Sequence, residues 1–440
     1  MGLKVLVADK IAQAGIDRLR AAADVEVVVQ TGLAGEALLA AVSDVDGLIV
    51  RSATDVTAEV IAAAKRLRVV GRAGVGVDNI DVPAATKRGI VVLYSPEGNT
   101  LAAAEHTVAM LLAAARRIPQ AHAALVERRE WERGRFMGVQ VAGKTLGVVG
   151  MGRIATEVAK RAKGLDMQVV GYDPFVSAER FARLGVQPRT VDELCAEADF
   201  ITVHTPLTPE TTHLIAEPQF ALMKPDAIVI NCARGGIIDE AALAAALQAG
   251  RIRGAAIDVF TEEPPFDSPL LAAPNLIATP HLGASTEEAQ VSVSLDIAES
   301  MLRALRDEPV PNAFNVRFWK DDTFETLRPY LELSERLGRL YTGLGLPHGR
   351  VEVVYAGEAA RAGNGALTAA LLKGMLEPVL QSVNYVNAQL IAEEREIRLA
   401  ETKSSAVEDY HSLITVRTVV NNVARELSGT VTGTGTPTLV

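Results

Sequence analysis

The stretch TLGVVGMGRIATEVAKRA, residues 145–162, decides the fold. It opens with an apolar run typical of a buried strand and continues as an alanine-rich helical pattern. Between the two, Gly150, Gly152 and Ala155 occupy a G-x-G-x-x-G/A motif, in which a pyrophosphate meets a helix N-terminus. The next apolar run ends in Asp173, whose carboxylate can accept hydrogen bonds from both ribose hydroxyls and repels a 2′-phosphate. The pattern therefore predicts a Rossmann domain that binds NAD, and only Arg153 argues for NADP.

Short apolar runs on both sides of this motif alternate with amphipathic stretches, which is typical of βαβ units. The predicted strands of a first domain are residues 4–8, 25–29, 47–50, 68–70 and 90–93. Those of the second are residues 145–149, 168–172, 199–203, 227–231, 254–258 and 276–279. Predicted helices include residues 34–42, 100–117 (ended by Pro119), 154–163, 239–249 and 285–306. We expect an α/β protein with two doubly wound parallel-sheet domains, a substrate domain and a Rossmann NAD domain.

Beyond Pro309 and Pro311 the pattern changes and predicts a C-terminal α+β domain. It combines a helix at 323–342, a strand at 350–355, a long helix at 366–400 and strands around 412–419. The expected domains are residues 1–98 with 285–311 for the substrate, 99–284 for NAD, and 312–440.

Composition limits the function classes. The 440 residues suffice for about three domains, and no apolar run approaches the roughly 18 residues that cross a bilayer. A net charge of −10 opposes general attraction to nucleic acid or anionic lipid, so an anionic substrate needs a local cluster of cations. Cys195 and Cys232 form no metal or disulfide motif, and the N-terminus shows no export signal. We expect a cytoplasmic protein with no metal, nucleic-acid partner or membrane association.

Three polar residues follow predicted strands of the second domain and are candidates for catalysis. Arg234 follows AIVINCA, Glu263 follows AAIDVF, and His281 follows LIATP. Because ligands of open α/β sheets bind at the carboxyl ends of the strands, these groups suit a general base, its carboxylate partner and a substrate-binding cation. His204, in VHTP, is the rival base. From the residues alone, purely structural roles remain equally open for all three.

Six long motifs together resemble the D-isomer-specific 2-hydroxyacid dehydrogenases over about residues 3–310. They are GMGRIATEVA (150–159), YDPF (172–175), HTPLTPETTHLI (204–215), NCARGGIIDEAAL (231–243), AAIDVFTEEPP (255–265) and TPHLGASTEEAQ (279–290). The resemblance implies that Arg234 binds the substrate carboxylate and carbonyl oxygen, that His281 takes the hydroxyl proton and that Glu263 holds the imidazole. It also implies that Asp258 holds the nicotinamide carboxamide. Ala155 stands where the family usually has a third glycine, and its small side chain still permits helix-to-strand packing.

Further contacts are implied residue by residue. The remaining cofactor contacts are Arg153, Ile154, Thr205, Cys232, Ala233, Gly283, Ala284 and Val75. The strings RSATDVT, WERGRFMG and HLGASTEEAQ favour the branch of the family that oxidises 3-phospho-D-glycerate to 3-phosphohydroxypyruvate, the first step of phosphorylated L-serine biosynthesis. Its substrate contacts would be Arg51, Ser52, Arg72, Gly74, Val75, Gly76, Asn99, Arg133 and Arg135, although each arginine also reads as an ordinary surface charge.

Alternative functions share the same catalytic trio. They are a glyoxylate/hydroxypyruvate reductase, a D-lactate dehydrogenase, a side activity on 2-hydroxyglutarate, and an NAD-sensing corepressor-like protein. The corepressors typically carry a tryptophan soon after the histidine, whereas Leu282, Gly283 and Ala284 follow His281, and the only tryptophans are Trp131 and Trp319.

Residues 312–440 resemble, more loosely, the domain that precedes an ACT regulatory domain in long-form members, and this chain stops before an ACT domain. A naturally short chain, a cut chain and a missing tail are all open explanations, and serine feedback through an ACT site is not expected. For residues 312–440, an oligomerisation role is as open as an effector site. The resemblance implies a homodimer or homotetramer.

Overall fold

The computed structural model describes residues 2–308, 310–316, 324–362, 365–404, 410–420 and 423–440. Pro309, Trp319 and the first residue of the helix predicted at 323–342 lie outside these ranges. The chain forms two compact units, Met1–Pro96 with Val291–Val440 (unit 1) and Glu97–Gln290 (unit 2). No helix in the described ranges is both long and apolar enough to span a membrane.

The strands are numbered in chain order. They are β1 (Leu3–Val7), β2 (Val25–Val29), β3 (Gly47–Val50), β4 (Val69–Arg72), β5 (Val91–Leu93), β6 (Thr145–Val149), β7 (Gln168–Tyr172), β8 (Gln187–Pro188), β9 (Phe200–Val203), β10 (Ile228–Asn231), β11 (Gly254–Ile257), β12 (Leu276–Ala278), β13 (Arg350–Gly357), β14 (Arg398–Ser404), β15 (Ser412–Val420), β16 (Val423–Val431) and β17 (Pro437–Leu439).

The helices are numbered in the same way. They are α1 (Gln13–Arg20), α2 (Gly35–Val42), α3 (Ala58–Ala63), α4 (Val82–Lys87), α5 (Thr100–Arg116), α6 (Ile118–Val126), α7 (Arg153–Gly164), α8 (Ala178–Leu184), α9 (Val191–Glu197), α10 (Glu217–Leu222), α11 (Glu240–Gln248), α12 (Glu287–Leu305), α13 (Phe324–Gly343), α14 (Glu358–Ala362), α15 (Ala366–Leu376) and α16 (Ala388–Glu394).

Both predicted parallel sheets are present, which confirms the expected fold class. In unit 1, β1 to β5 form a parallel sheet of order β2-β1-β3-β4-β5. In unit 2, seven parallel strands have the order β12-β11-β10-β9-β6-β7-β8. Strand order reverses between β6 and β9, which is where open α/β sheets bind their ligands. All four residues of β9, β10 and β11 are buried, as expected for central strands covered on both faces.

A third sheet in unit 1 has the order β14-β13-β15-β16-β17. Strands β13 and β14 pair in parallel, and the other neighbours are antiparallel. Residues of α13, α15, β13 and β15 share one apolar core, including the fully buried Tyr341 and Leu371. The mixed sheet with its helices confirms the expected α+β domain.

The structure corrects three expectations about individual elements. The long helix predicted at 366–400 is wrong: α15 ends at Leu376 before Pro378, α16 is short, and β14 then begins at Arg398. The proline ring cannot continue a helical hydrogen-bond ladder, and this breaks the helix although apolar spacing persists. The predicted helix 100–117 ends at Arg116 because Arg117 adopts φ 54°, and Pro119 lies in the first turn of α6 instead. The short edge strand β8 was not predicted.

Gly338 of α13 and Gly374 of α15 allow the two helices to pack closely against each other. A Cβ on Gly374 would lie 2.1 Å from the carbonyl oxygen of Glu335, closer than any real Cβ contact. We therefore expect Gly374→Ala to force the helices apart and to lower the free energy of unfolding by about 1–3 kcal/mol. Gly343→Ala is the matched control, because open space surrounds its position in α13 and alanine favours helix by up to about 1 kcal/mol. Urea unfolding, followed with hydrogen exchange of α13 and α15, measures both; equal stability of the two variants would contradict this account.

Candidate active site

Three neighbouring strand ends of unit 2 present the predicted catalytic residues. Strand β10 pairs with β11, and β11 pairs with β12, all in parallel. Arg234, Glu263 and His281 each follow one of these strands in the chain. Their loops therefore emerge from one edge of the sheet, its carboxyl edge.

Glu263 and His281 form a hydrogen-bonded pair. A Glu263 oxygen (Oε2) lies 2.8 Å from His281 Nδ1, and the other oxygen (Oε1) accepts the backbone N–H of Phe260 at 3.1 Å. Burial opposes the charge of Glu263, but the hydrogen bonds from His281 and Phe260 outweigh burial and hold its pKa below the usual value. The Glu263 side chain remains 38% exposed and the His281 side chain 43% exposed. The imidazole is thus oriented by an ionised carboxylate while its far nitrogen stays free of that contact.

Asp258 fixes the loop that carries His281. Its carboxylate is fully buried and accepts hydrogen bonds from the Thr279 hydroxyl at 2.6 Å and from the backbone N–H groups of Leu282 and Gly283 at 2.7 and 2.9 Å. His106 Nε2 lies 3.1 Å from the same carboxylate. Burial opposes ionisation, yet these partners lower the pKa of Asp258. His281 itself adopts φ 54°, a conformation that costs a non-glycine residue about 1 kcal/mol or more and so needs such support.

Two more polar side chains fix the other catalytic loops. Asn231 Nδ2 donates to the carbonyl of Arg234 at 2.8 Å, and its Oδ1 accepts the N–H of Ala233 at 3.0 Å. Glu240 accepts the N–H of Thr261 and the hydroxyl of Ser268, both at 2.6 Å, on either side of Glu263. Each predicted catalytic residue therefore lies in a loop that has its own polar tether.

The loops of Arg234 and Glu263 also touch directly. A Cβ on Gly235 would lie 1.9 Å from the carbonyl carbon of Phe260, so only glycine allows the two backbones to approach this closely. Arg234 donates from Nη1 to the carbonyl of Ala233 at 2.7 Å.

Reasoning from the sequence missed the supporting residues Asn231, Glu240, His106 and Thr279. A usable signal exists for Asn231, because a polar residue ends a strand that is otherwise apolar and buried. Buried polar groups must find partners, so such a residue indicates a loop tether. His106 and Thr279 meet only through folding, and no local pattern marks them.

The surroundings of His204, the rival base, disfavour that role. Its Nε2 is hydrogen-bonded to the Thr202 hydroxyl at 3.0 Å, and burial lowers the pKa of the imidazole to about 4. The structure shows no carboxylate paired with it in the described residues. It therefore lacks the partner that His281 has.

The glycine-rich turn has the features that a dinucleotide needs. Gly150 has φ +86°, and Gly152 faces open space, with no heavy atom within 4 Å of where a Cβ would stand. Helix α7 begins directly after Gly152 with no side-chain cap, so its first N–H groups remain available to a pyrophosphate. The Thr205 hydroxyl, just beyond β9 in the chain, is buried and finds no hydrogen-bond partner among the described residues. These observations fit a bound dinucleotide.

Asp173 lies where the motif predicts it, after β7, and also shapes the turn. Its carboxylate accepts the N–H of Met151 at 2.8 Å and that of Phe175 at 2.9 Å. Arg153, the residue that argued for NADP, has a Glu97 oxygen 3.3 Å from its guanidinium. The paired acid weakens its attraction for a 2′-phosphate.

The other predicted cofactor contacts of unit 2 lie at the same strand ends or on α7. Burial raises the pKa of the Cys232 thiol to about 12, so it is a neutral group that packs rather than reacts. Gly283 donates to Asp258, and the Ala284 carbonyl accepts from Gln290 at 2.7 Å. Ile154 and Ala233 are half-buried.

The predicted substrate contacts of unit 1 cluster after β3 and β4. Arg51 follows β3, and burial lowers its pKa, which the charge of Asp9 partly offsets. The Asn79 amide donates to the carbonyls of Arg51 and Thr54, both at 2.6 Å, and so joins the two loops. The remaining predicted contacts in these loops are Ser52, which is exposed, Arg72, Gly74, Val75 and Gly76.

Unit 2 carries the other three predicted substrate contacts. The side-chain oxygen of Asn99, at the start of α5, is buried without a hydrogen-bond partner among the described residues. Arg133 and Arg135 are exposed on a short 3-10 helix, and Arg135 pairs with Glu130 at 3.0 Å. Of these three, Asn99 therefore shows an unmet hydrogen bond.

Comparison with known proteins agrees with this geometry. Residues 108–283 match the family model of the D-isomer specific 2-hydroxyacid dehydrogenase NAD binding domain, and residues 326–440 match that of the D-3-phosphoglycerate dehydrogenase intervening domain. A D-3-phosphoglycerate dehydrogenase of Archaeoglobus fulgidus is 48% identical over 434 residues, which are 98% of this chain and 82% of the relative. One from Synechocystis sp. is 50% identical over 410 residues, 92% of this chain and 74% of the relative. The crystal structure of a Thermus thermophilus protein, TT0316, is 38% identical with a TM-score of 0.66, covering 71% of this chain and 100% of that one.

The sheet order, the glycine-rich turn and the carboxylate–imidazole pair define an NAD-dependent oxidoreductase of the 2-hydroxyacid dehydrogenase type. The chain belongs to the D-3-phosphoglycerate dehydrogenase family. The recognition made from the six motifs is thereby confirmed, as is NAD as the cofactor.

The buried carboxylate of Asp258 offers a test of the loop tether. In Asp258→Asn an amide replaces one acceptor oxygen, so a buried N–H of Leu282 or Gly283 loses its partner at a cost of roughly 1–3 kcal/mol in the free energy of unfolding. We also expect kcat to fall at least tenfold because His281 is no longer held. Asp267→Asn, an exposed change of the same type, is the control for both urea unfolding and turnover. Unchanged stability and kcat in Asp258→Asn would refute the tether.

Proposed function

We propose that the chain oxidises 3-phospho-D-glycerate to 3-phosphohydroxypyruvate with NAD, the first step of phosphorylated L-serine biosynthesis. The observation that carries the proposal is the 2.8 Å contact between Glu263 and His281 at the carboxyl edge of the NAD-binding sheet. The names and identities of the relatives favour phosphoglycerate among the 2-hydroxy acids.

His281 would act as the general base. Glu263 occupies Nδ1, so Nε2 accepts the proton of the substrate hydroxyl, and the carboxylate stabilises the resulting imidazolium. As the O–H bond breaks, the carbonyl forms and the C2 hydrogen leaves with its electron pair. NAD, when bound, supplies the acceptor for that hydride at nicotinamide C4.

Arg234 would bind the substrate carboxylate and polarise the oxygen at C2. A guanidinium keeps its charge throughout the pH range and presents a planar set of donors that matches a carboxylate. The Asn231 tether holds the backbone of Arg234 beside the loop of Glu263. The predicted cofactor contacts belong to the same proposal, with Asp173 for the ribose. The carboxylate of Asp258 has no exposed surface, so it would reach the carboxamide only by exchanging one of its loop hydrogen bonds.

The decisive experiment combines a substrate panel with a histidine variant. We expect turnover with 3-phosphoglycerate and NAD to exceed that with glyoxylate or hydroxypyruvate and NADH, with D-lactate and 2-hydroxyglutarate, and with NADP. His281→Asn should lower kcat by at least about a hundredfold, the usual range for a lost general base, while NAD affinity stays near wild type. His122→Asn, an exposed histidine on α6, is the control. Wild-type rates in His281→Asn would remove the residue from this role, and no turnover with any substrate would favour an NAD-binding sensor.

Arg51 is the test of phosphate recognition. If its guanidinium contacts the substrate phosphate, Arg51→Ala should raise the KM for 3-phosphoglycerate at least tenfold, because a charge-assisted hydrogen bond contributes about 1.5–3 kcal/mol. The KM for a 2-hydroxy acid without phosphate should change little. Arg18→Ala, which removes an arginine of the same unit that pairs with Glu299, is the control. An unchanged KM for 3-phosphoglycerate would disprove the phosphate contact.

We further propose a cytoplasmic homodimer or homotetramer with the domain limits expected above, namely 1–98 with 285–311, 99–284 and 312–440. The internal limits of the compact units, Pro96 and Gln290, lie within six residues of the proposed NAD-domain limits. A single-chain mass in light scattering would contradict the assembly.

A further inference from the structure

A basic cavity of about 500 Å³ lies within unit 1, away from the predicted substrate loops of its first sheet. One wall is formed by residues at the amino edge of the β1–β5 sheet, where β4 and β5 begin, and the other by residues of α13, α15 and the 382–386 loop. Its lining contains five basic residues, Lys65, Arg66, Arg68, Arg88 and Lys373, and a single acidic one, Asp307. In a chain of net charge −10, this concentration of cations is unusual.

Some of these cations retain donors for a ligand. Lys65 is exposed and has no ion pair among the described residues. Arg66 uses only Nη2 for its two contacts with Asp46, at 2.8 and 3.0 Å, which leaves its other nitrogens available. Arg88 donates from Nη1 to the carbonyl of Ile61, which does not neutralise its charge. Lys65, Arg66 and Arg88 can therefore each donate hydrogen bonds to the same anion.

The two walls are held together by specific contacts, so the cavity is built into the fold. Asn384 donates from Nδ2 to the carbonyl of Gly89 at 2.7 Å. A Cβ on Gly89 would stand 2.5 Å from that amide, and the glycine has φ +72°, so the close approach depends on glycine. Within the second wall, Lys373 is fixed by Glu335 at 2.8 Å and lies over the Tyr385 ring at 5.0 Å. Lys87 of α4 and Glu394 of α16, which do not line the cavity, form a further ion pair at 2.9 Å.

We propose that this cavity is a binding site for a small polyanion that carries phosphate or carboxylate groups. Such oxyanions match guanidinium forks and the lysine ammonium, and the volume suits a metabolite rather than a macromolecule. The wide separation of Lys65, Arg88 and Lys373 along the chain makes the site dependent on both walls.

The cavity is connected to the proposed substrate loops through β4. Arg68 lies just before β4 at the cavity, where it also contacts Asp307 at 2.6 Å, and Arg72 is the last residue of the same strand. An anion that binds Arg68 competes with Asp307 for its guanidinium and would shift the start of β4. The end of β4 carries Arg72, a predicted substrate contact. Binding is therefore expected to change the KM for substrate more than kcat.

The test measures anion binding directly in the full chain. Calorimetric titrations with citrate and, separately, with inorganic phosphate are run at roughly 0.15 M ionic strength, where exposed charges alone bind weakly. We expect saturable binding of at least one anion to wild type, and at least a tenfold weaker Kd in Lys65→Gln/Arg88→Gln. Binding of phosphate alone identifies a phosphate ligand, and binding of citrate alone identifies a carboxylate ligand.

Matched variants keep the outcome unambiguous. Lys160→Gln/Arg183→Gln removes the same charge from exposed positions of unit 2 and should bind as wild type does. Lys65→Glu leaves Arg88 and its hydrogen bond in place, so it reports on charge even if the double variant unfolds. Wild-type affinity in Lys65→Glu and in a folded double variant, or no saturable binding to wild type, would overturn the proposal.

A kinetic arm rests on the proposed function and is therefore kept separate. Without added anion, Lys65→Gln/Arg88→Gln should show the wild-type kcat and KM for 3-phosphoglycerate, and the change in KM that citrate or phosphate causes in wild type should disappear. Loss of all turnover in wild type would refute the proposed substrate while leaving the calorimetric result intact. Persistence of the anion effect on KM in the double variant would refute the connection through β4.

Discussion

The hydrogen bonds of the fully buried Asp258 carboxylate are the interaction on which the carboxyl edge of the unit 2 sheet, with the proposed catalytic residues, depends. An ionised group with no exposed surface is tolerated only when its hydrogen bonds are complete, and here they come from the loop that carries His281. The loop cannot move away without removing the three hydrogen bonds that Thr279, Leu282 and Gly283 donate to that charge. The same requirement stabilises His281 in its left-handed backbone conformation.

The loops of Arg234 and Glu263 are also fixed by hydrogen bonds to a polar side chain, but neither of these side chains is a fully buried charge. Asn231 is neutral and closes a tight turn before Arg234, whereas Glu240 begins α11 and spans the loop of Glu263 from outside. These tethers fix the backbone positions of the loops, although the side chains of Glu263 and His281 remain accessible to solvent. This division suits a site in which the proposed pair of Glu263 and His281 meets a substrate while Asp258 and Asn231 beneath it stay buried.

Most of the architecture could be predicted because it depends on local patterns. Strands β6 and β7 have the predicted bounds, since their apolar runs are short, β-branched and closed by glycine or acid. The rule that parallel strands present their carboxyl ends together made the Glu263–His281 contact plausible, and the family resemblance implied it. The helix predicted at 366–400 failed because apolar spacing continued through Pro378 into a strand, where periodicity alone does not distinguish the two. His106 and Thr279 could not be foreseen as supports of Asp258, because their meeting depends on how α5 lies against β12.

The contrast between His204 and His281 shows why position along a strand does not settle which histidine acts as base. Both follow parallel strands of the same sheet. Desolvation keeps His204 neutral with a pKa of about 4, and its hydrogen bond is to the hydroxyl of Thr202, which cannot stabilise an imidazolium as a carboxylate does. His281 has an ionised carboxylate at Nδ1 and retains solvent access, which are the two features that the proposed base requires. A base is therefore defined by its partner and its hydration, and both are properties of the folded loops.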